Sequence, residues 1–197
     1  PLISRIPLVL TAKSSLLQPS NNHQSVDTPQ ITSIEDLKQN YVLVGHLAYA
    51  NLHWKSLYES PEQLLTVIFS GPHSYISPMW YEKDDVPTWN YSEVRVYGRC
   101  SFITDHKMQR TVLEQLVDKN EQEWHPENPW KLSKLEDSWV EDKMKKIKFF
   151  QIDIQDIETK FKMNQNRSEA DQQGVIHHLS GTEAGKFMKE LKEKSKQ

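Results

Sequence analysis

Apolar and polar residues alternate over several short runs of this chain, which is the pattern of half-buried β-strands. The clearest run covers residues 93–103, where one face carries Val94, Val96, Gly98, Cys100 and Phe102. Further apolar runs predict strands at residues 2–10, 41–50, 64–70 and 148–154. With no regular βαβ alternation, the pattern favours five or six antiparallel strands in one mainly β (α+β) domain, arranged as a small barrel.

Helical spacing is confined to short segments between and after these strands. Apolar residues three or four apart predict helices over residues 104–117 and 133–147, with Thr104 and Ser133 as N-caps. A third, strongly charged helix is predicted from Thr182, with Phe187 and Leu191 as its apolar anchors. These helices are expected at the periphery of the barrel.

Residues 11–40 are rich in Ser, Gln, Asn and Thr and are predicted to form a long polar insertion. One short helix is expected within it, where Ser33 can cap the following turn. Residues 18–28 offer almost no apolar anchor, so we predict that they are the most mobile internal segment. Deleting them should leave the melting temperature nearly unchanged.

The segment 71–91, GPHSYISPMWYEKDDVPTWNY, combines large aromatic residues with three prolines and has no helical or strand period. It is therefore predicted to be a loop between two strands. Its rings could be lids over a barrel end, part of a dimer contact, or the walls of a slot for a flat ligand.

Composition removes several function classes. The 197 residues carry a formal charge of −3, which argues against a dominant polyanion-binding surface. Cys100 is the only cysteine, so an intramolecular disulfide and a thiolate metal cluster are excluded. A reducing, cytoplasmic compartment is expected. The chain opens at Pro1 in a predicted strand, and its true beginning is expected to lie upstream.

Motifs for dinucleotides, P-loop phosphates, zinc proteases and serine hydrolases are missing from the sequence. His46 and His53 lie seven residues apart without a convincing metal-ligand spacing, so no metal site is predicted. Cys100 points to the predicted interior and is not expected to act as a nucleophile. The sequence does not identify any catalytic residue.

Four blocks, at residues 45–54, 69–81, 86–91 and 162–171, resemble the PaiB family of FMN-binding split-barrel proteins. They read GHLAYANLHW, FSGPHSYISPMWY, VPTWNY and KMNQNRSEAD. The resemblance implies a six-stranded split barrel, a homodimer and bound FMN. Two departures are visible: Arg5 replaces the family's histidine, and the polar insertion is longer than usual.

The resemblance also implies a strand and a helix before Pro1. Cofactor-binding residues are predicted in the four blocks and, for Arg5, in the N-terminal strand. They are Arg5, His46, Asn51, Trp54, Ser74, Tyr75, Ser77, Trp80, Thr88, Trp89, Asn90, Gln165, Asn166 and Arg167. Residues 1–163 are expected to form the split-barrel domain, and residues 164–197 a C-terminal turn and charged helical tail.

Three functions stay open from the sequence. The first is an FMN-binding protein with oxidoreductase or flavin-sensing activity, whose substrate the residues do not identify. The second is a negative transcriptional regulator that binds DNA as a dimer, which the interleaved charges of the C-terminal tail do not favour. The third is haem binding through His46 or His53, by analogy with related split barrels. No membrane partner is expected.

Overall fold

The computed structural model of the protein describes residues 2–17, 31–83 and 85–195. Five strands form one sheet in the order β1-β2-β5-β4-β3, and seven α-helices are assigned within the described residues. The strands are β1 (Val9–Ala12), β2 (Tyr41–Ala48), β3 (Leu64–Ile76), β4 (Thr88–Phe102) and β5 (Ile147–Lys162). The helices are α1 (Lys13–Leu17), α2 (Ile34–Asn40), α3 (His53–Glu59), α4 (His106–Trp124), α5 (Asp137–Met144), α6 (Glu169–His178) and α7 (Glu183–Lys194).

The chain divides into two compact units, each described here by itself. The first comprises residues 1–66 and 97–156, and the second residues 67–96 and 157–197. The chain passes from one unit to the other within β3, β4 and β5. The predicted α+β class, with an antiparallel sheet and peripheral helices, is confirmed, with five described strands where six were expected.

The first unit has a core between its strands and helices α1, α4 and α5. Val42 and Val44 of β2 and Val112 of α4 are fully buried within it. Antiparallel pairing sets Val9 opposite Val44, and His46 opposite Phe149 of β5. Glycine is required at position 98, because a Cβ there would lie 2.5 Å from the carbonyl oxygen of Asp153.

The second unit has a smaller core under helices α6 and α7. Ile76 at the end of β3 and Val175 of α6 are fully buried, and Met163 and Met188 are nearly so. The predicted anchors of α7, Phe187 and Leu191, pack partly buried against this core. The helix therefore binds the unit through a wider apolar stripe than the sequence analysis gave it.

The bounds predicted for the loop 71–91 are wrong at both ends. Residues 71–76 belong to β3, and residues 88–91 belong to β4. Strand β3 tolerates Pro72 because it lies at the edge of the sheet, where a missing backbone donor breaks no ladder on the open side. Only residues 77–87 connect the strands, and they include a 3-10 turn at Pro78–Trp80.

Other element boundaries also differ from the predictions. Residues 2–8 are not a strand, and pairing with β2 begins at Val9, after Pro7 has removed a donor. The predicted insertion begins with the end of β1 and the helix α1. Strand β5 runs on to Lys162, well beyond the predicted end. The prediction ended the strand too early because its last residues are mostly exposed and carry no apolar period.

Several helix starts were predicted correctly and others were not. Ser33 accepts a hydrogen bond from Asp36 N, and Thr182 from Gly185 N, as expected of N-caps. Helix α4 is capped by Asp105, whose carboxylate accepts from Met108 N, and not by Thr104. Helix α5 starts after Glu136, since the residues around Ser133 form a 3-10 turn. The mobility predicted for residues 18–28 lies outside the described residues.

Candidate functional site

The predicted cofactor-binding residues divide between the two units. Arg5, His46, Asn51 and Trp54 belong to the first unit, and the other ten belong to the second. Within the described residues, no group of three or more His, Cys, Asp or Glu side chains could hold a metal ion. No helix of the described part of the chain is long and apolar enough to cross a membrane.

In the first unit, a hydrogen-bond network ties the N-terminal segment to the turn after β2. Asn51 Nδ2 donates to Ser4 Oγ at 3.1 Å, and Ser4 Oγ lies 2.9 Å from His53 Nδ1. Asn51 Oδ1 accepts from the backbone N of His53 at 3.0 Å. Because Asn51 already donates to Ser4, the hydroxyl is free to donate to His53, which favours the tautomer protonated at Nε2.

Glycine at position 45 makes this approach possible. A Cβ there would lie 2.7 Å from Leu8 Cδ2 and 3.1 Å from the carbonyl oxygen of Pro7. Any side chain at this position would push the N-terminal segment away from β2. Arg5 lies on this segment, exposed, and makes no hydrogen bond or salt bridge with the described residues.

Trp54 belongs to a small aromatic and cationic cluster beside this network. Its indole Nε1 donates to the carbonyl oxygen of Tyr49 at 2.8 Å, and the two rings lie 5.1 Å apart. The ammonium of Lys148 lies 5.1 Å from the ring centre of Tyr49 and 5.2 Å from that of Trp54. The cation is held by the two ring faces and is not paired with a carboxylate there.

His46 lies in β2, where its ring is 5.7 Å from that of Phe149. Its Nδ1 is buried and has no hydrogen-bond partner among the residues that the structure describes. Burial lowers the pKa of His46 below its ordinary value, so the imidazole is neutral near pH 7. A buried ring nitrogen without a partner can accept from, or donate to, a bound molecule.

In the second unit, one side of the sheet carries stacked rings and lysines. The ring of Trp89 stacks on His73 at 5.6 Å, and Lys160 Nζ lies 5.9 Å from the ring centre of Tyr91. Lys162 follows Lys160 by two residues, and its ammonium donates to Thr88 Oγ1 at 2.5 Å. We call His73, Trp89, Tyr91, Lys160 and Lys162 the ring face.

The ring face is open, whereas the opposite side of β4 is covered. Trp89 is 50% exposed, while its neighbour Asn90 is fully buried and donates to Met188 Sδ of α7 at 3.7 Å. Asn90 Oδ1 has no hydrogen-bond partner. Phe161, between the two lysines, turns to the covered side and lies 5.8 Å from Phe187. The lysines and the half-exposed indole are therefore the groups that β4 and β5 present outward.

The turn after β5 is fixed by its own contacts. Asn164 has φ of 60° and is buried, and its amide donates to the hydroxyl of Tyr81 at 3.2 Å. Gln165 is used locally, since it accepts from Met163 N at 2.7 Å. Asn166 is exposed, and its side chain makes no hydrogen bond with the described residues.

Arg167 forms a salt bridge with Asp85, and its guanidinium lies 4.7 Å from the ring centre of Tyr81. The hydrogen bond from Arg167 holds the pKa of Asp85 below its ordinary value, and the same pair raises the pKa of Arg167. This salt bridge links the 77–87 connection to the turn after β5. A bound anion would have to compete with Asp85 for it.

The remaining predicted residues have separate local roles. Ser77 caps the 3-10 turn by accepting from Met79 N, and Trp80 stacks on His178 of α6 at 5.3 Å. Ser74 Oγ donates to the carbonyl oxygen of Tyr75, whose own ring is half exposed. The structure thus brings Thr88 to Lys162 of β5, stacks Trp89 on His73, and sets Trp80 in a packing contact with His178.

Sequence reasoning missed several residues of these clusters. Ser4 and His53 were left out, although His53 follows Asn51 in the same block. His73 lies inside the block FSGPHSYISPMWY, and Lys160 and Lys162 alternate along the strand. Strand alternation was the available signal for the lysines, but the strand had been predicted to end before them.

The chain matches the family described as "Putative FMN-binding domain" over residues 1–156. It belongs to that family. Membership confirms the resemblance recognised in the sequence and gives FMN as the cofactor. Helices α6 and α7 lie beyond the matched residues.

Relatives were found in bacteria and fungi. The chain is 38% identical, over 78% of its length and 73% of the relative, to the Protease synthase and sporulation protein PAI 2 of Bacillus subtilis (strain 168). It is 34% identical, over 87% of its length and 79% of the relative, to the Uncharacterized protein AN0679 of Emericella nidulans. The Flavocytochrome Anf3 from Azotobacter vinelandii matches 61% of this chain and 50% of its own, at 19% identity and a TM-score of 0.40, which is too low to carry an argument.

The residues present suit a flavin mononucleotide. A flavin needs a flat apolar contact for its ring, donors at the ring edge, and cations or amide donors for its phosphate. The ring face offers a half-exposed indole stacked on His73, with Lys160 over Tyr91 and Lys162 at Thr88 on the neighbouring residues of β4. In the first unit, His46 Nδ1 is a buried polar atom still without a partner.

Proposed function

We propose that this FMN-binding protein holds its cofactor against the ring face of the second unit and acts as a flavin-dependent oxidoreductase or flavin sensor. One observation carries the proposal: the half-exposed indole of Trp89 stacks on His73, and it lies in β4, the strand next to Lys160 and Lys162 of β5. The adjacent Lys160 and Lys162 supply the charge that a phosphate monoester requires.

Each group of the ring face has a definite task in this proposal. Trp89, backed by His73, provides a flat surface on which a planar ring can stack and from which water is excluded. Lys162 is held at Thr88 Oγ1, a neutral partner that an anion can replace. When bound, FMN supplies one- and two-electron redox chemistry, and the protein contributes binding, orientation and charge.

The residues predicted in the first unit form a second set of proposed FMN contacts, inferred from the family resemblance. His46 Nδ1 is buried without a partner among the described residues. The hydrogen-bonded network of Asn51, Ser4 and His53 offers further polar groups, and two of its members follow His46 closely in the sequence. We expect His46→Gln to weaken flavin binding, since glutamine keeps a polar group but not the ring geometry.

We further propose that the functional form is a cytoplasmic homodimer. The second unit exposes several large apolar side chains: Ile68, Phe69, Tyr75, Met79, Val86 and Trp89. Exposed apolar side chains are candidates for an interaction surface, and most soluble oligomers are built from copies of one chain. The cytoplasmic assignment follows from the use of a single cysteine.

A regulatory role is the finer proposal that the Bacillus relative suggests, since that protein is named for protease synthase and sporulation. Such a role does not require this chain to bind DNA. Its cations are frequently paired, as Arg110 is with Glu114 and Asp137. We therefore propose that regulation would act through the flavin, and a gel-shift experiment with and without FMN checks this.

The visible absorption spectrum of the purified full chain tests the proposal directly. Added FMN should remain with the protein through desalting, with a shifted blue absorption band that bleaches on reduction. An intense Soret band would point to haem instead. If neither chromophore is retained, the proposed function is wrong.

A pair of matched variants locates the site. Lys160→Gln/Lys162→Gln should weaken FMN binding at least about tenfold, since two charge-assisted contacts to the phosphate are lost. Lys119→Gln/Lys134→Gln removes the same charge from exposed positions of the first unit and should bind like the parent. Equal affinities for the two variants would remove the ring face as the phosphate site. Sedimentation at micromolar concentration checks the dimer, which a monomer would contradict.

A further inference from the structure

An open cleft of about 540 Å³ lies between α6 and α7 in the second unit. Its volume is within the range of small-molecule sites. The residues that matter to its chemistry are Ile176 and His177 of α6 and Gly185, Lys186, Lys189 and Lys192 of α7. Three lysines and one histidine thus line the cleft, against Glu193 as the one acidic lining residue in the part of the chain that the structure describes.

Lysines recur along one side of α7. Lys186, Lys189 and Lys192 recur every three residues and line the cleft, while Glu190 does not. Neither Lys186 nor Lys189 forms a salt bridge with the described residues. Like charges three apart on a helix repel each other, and Glu190 and Glu193, four residues after Lys186 and Lys189, offset this repulsion in part. A bound anion would reduce what remains.

Lys192 is the second independent observation. Its side chain is 12% exposed, and its ammonium is buried without a hydrogen bond. Glu169 Oε1 lies 3.2 Å away, close enough for an ion pair but without hydrogen-bond geometry. An ammonium has three donors, and leaving them unsatisfied in a buried position is unfavourable. The cleft is where a ligand oxygen can satisfy them.

We propose that the α6–α7 cleft binds the phosphoryl group of a small phosphorylated molecule. Three ammonium groups suit the several oxygens of a phosphate, which accepts more hydrogen bonds than a single carboxylate. Ile176 gives the remainder of the ligand an apolar contact. The imidazole of His177 adds a further donor at the cleft wall.

This site is separate from the proposed flavin site. Trp89 and Asn90 are consecutive in β4 and point to opposite faces of the strand, and α7 contacts Asn90. The ring face is on the other side. The cleft therefore offers a place where a second ligand can bind while FMN is present.

Titration of the full chain with inorganic pyrophosphate tests the proposal, both without FMN and with FMN at saturation. Calorimetry gives the affinity, and amide resonances of Gly181, Gly185 and His177 report where the anion binds. We expect saturable binding, shifts at these three residues, and no release of FMN. Binding to the FMN-free protein keeps the test independent of the proposed flavin function.

Two variants and one control decide the outcome. Lys186→Gln/Lys189→Gln should weaken pyrophosphate binding at least about tenfold. Lys192→Met removes the buried ammonium at nearly constant volume, and it should weaken binding while keeping the fold. The control, Lys119→Gln/Lys194→Gln, has the same net charge change at exposed positions outside the cleft.

Three results would overturn the proposal. The first is no saturable binding by the parent at millimolar pyrophosphate. The second is equal weakening in the control, which would mean a general charge effect. The third is displacement of FMN or resonance shifts confined to the ring face, which would assign the anion to the flavin site.

Discussion

The substitution Trp89→Ala separates a ligand-binding role of this ring from a purely structural one. Trp89 is 50% exposed and stacks on His73, so the fold uses only about half of its surface. A fully buried tryptophan contributes up to about 250 Å². Half of that area, at about 25 cal/mol per Å², gives an upper bound of about 3 kcal/mol for the lost stability.

The expected loss of flavin affinity comes from a different source. An aromatic contact with a flat ring contributes about 1–3 kcal/mol, which corresponds to roughly a 5-fold to 150-fold increase in Kd. Quenching of FMN fluorescence on titration with the protein measures this change. Circular dichroism and sedimentation establish that the variant is folded and has the parent's oligomeric state.

Trp139→Ala is the matched control, because Trp139 is 51% exposed and lies on α5 of the first unit. It removes the same side chain at the same exposure, and it should leave the flavin Kd unchanged. A folded Trp89→Ala variant that binds FMN as tightly as the parent would refute the reasoning. A variant that unfolds while the control does not would assign Trp89 a structural role.

Three further predictions concern stability and reactivity. Gly98→Ala should destabilise the protein by about 1–3 kcal/mol, because its Cβ would meet the carbonyl oxygen of Asp153 at 2.5 Å; a thermal melt within a degree of the parent's would contradict this. Burial raises the pKa of the Cys100 thiol to about 12, so a thiol reagent at pH 8 should react only after denaturation. The stabilisation from the protonated Cys100 thiol should be complete below pH 9 and should be lost as the pH rises towards 12. The melting temperature of the parent protein should therefore fall more over this interval than that of the Cys100→Ala variant. Arg167 lowers the pKa of Asp85, so the pair stabilises the protein above the ordinary pKa of 3.8. This stabilisation is lost as the pH falls through the lowered pKa. The melting temperatures of the parent and of Asp85→Asn should therefore converge on acidification from pH 6 to 3.

Local patterns in the sequence were sufficient for the interior face of β4 and for two helix starts. Alternation placed Val96, Gly98 and Cys100 on one face of a strand, and all three are buried. Capping by Ser33 was predicted from the side-chain type and the following residues, because a cap is made within one turn, and the start of the last helix was predicted at Thr182, which the structure shows as its N-cap. Four sequence blocks were also enough to recognise the family.

The limits of the strands could not be predicted in the same way. Residues 71–76 of the predicted loop 71–91 are strand, and Pro72 is allowed there because β3 lies at the sheet edge. Edge position is a property of the whole sheet and leaves no local mark. Similarly, the end of β5 is exposed, so its residues lack the apolar period by which strands are found.

By itself, then, the sequence determined the α+β class, the interior faces of the central strands and membership of an FMN-binding family. Only the tertiary structure decided which side chains meet. Lys162 reaches Thr88 across 74 residues of chain, and Ser4 reaches His53 across 49. Such contacts depend on strand order and register, which are fixed when the whole sheet buries its apolar faces. The same step decided that Trp89 is open and Asn90 is buried, because consecutive residues of one strand point to opposite faces and α7 covers only one of them.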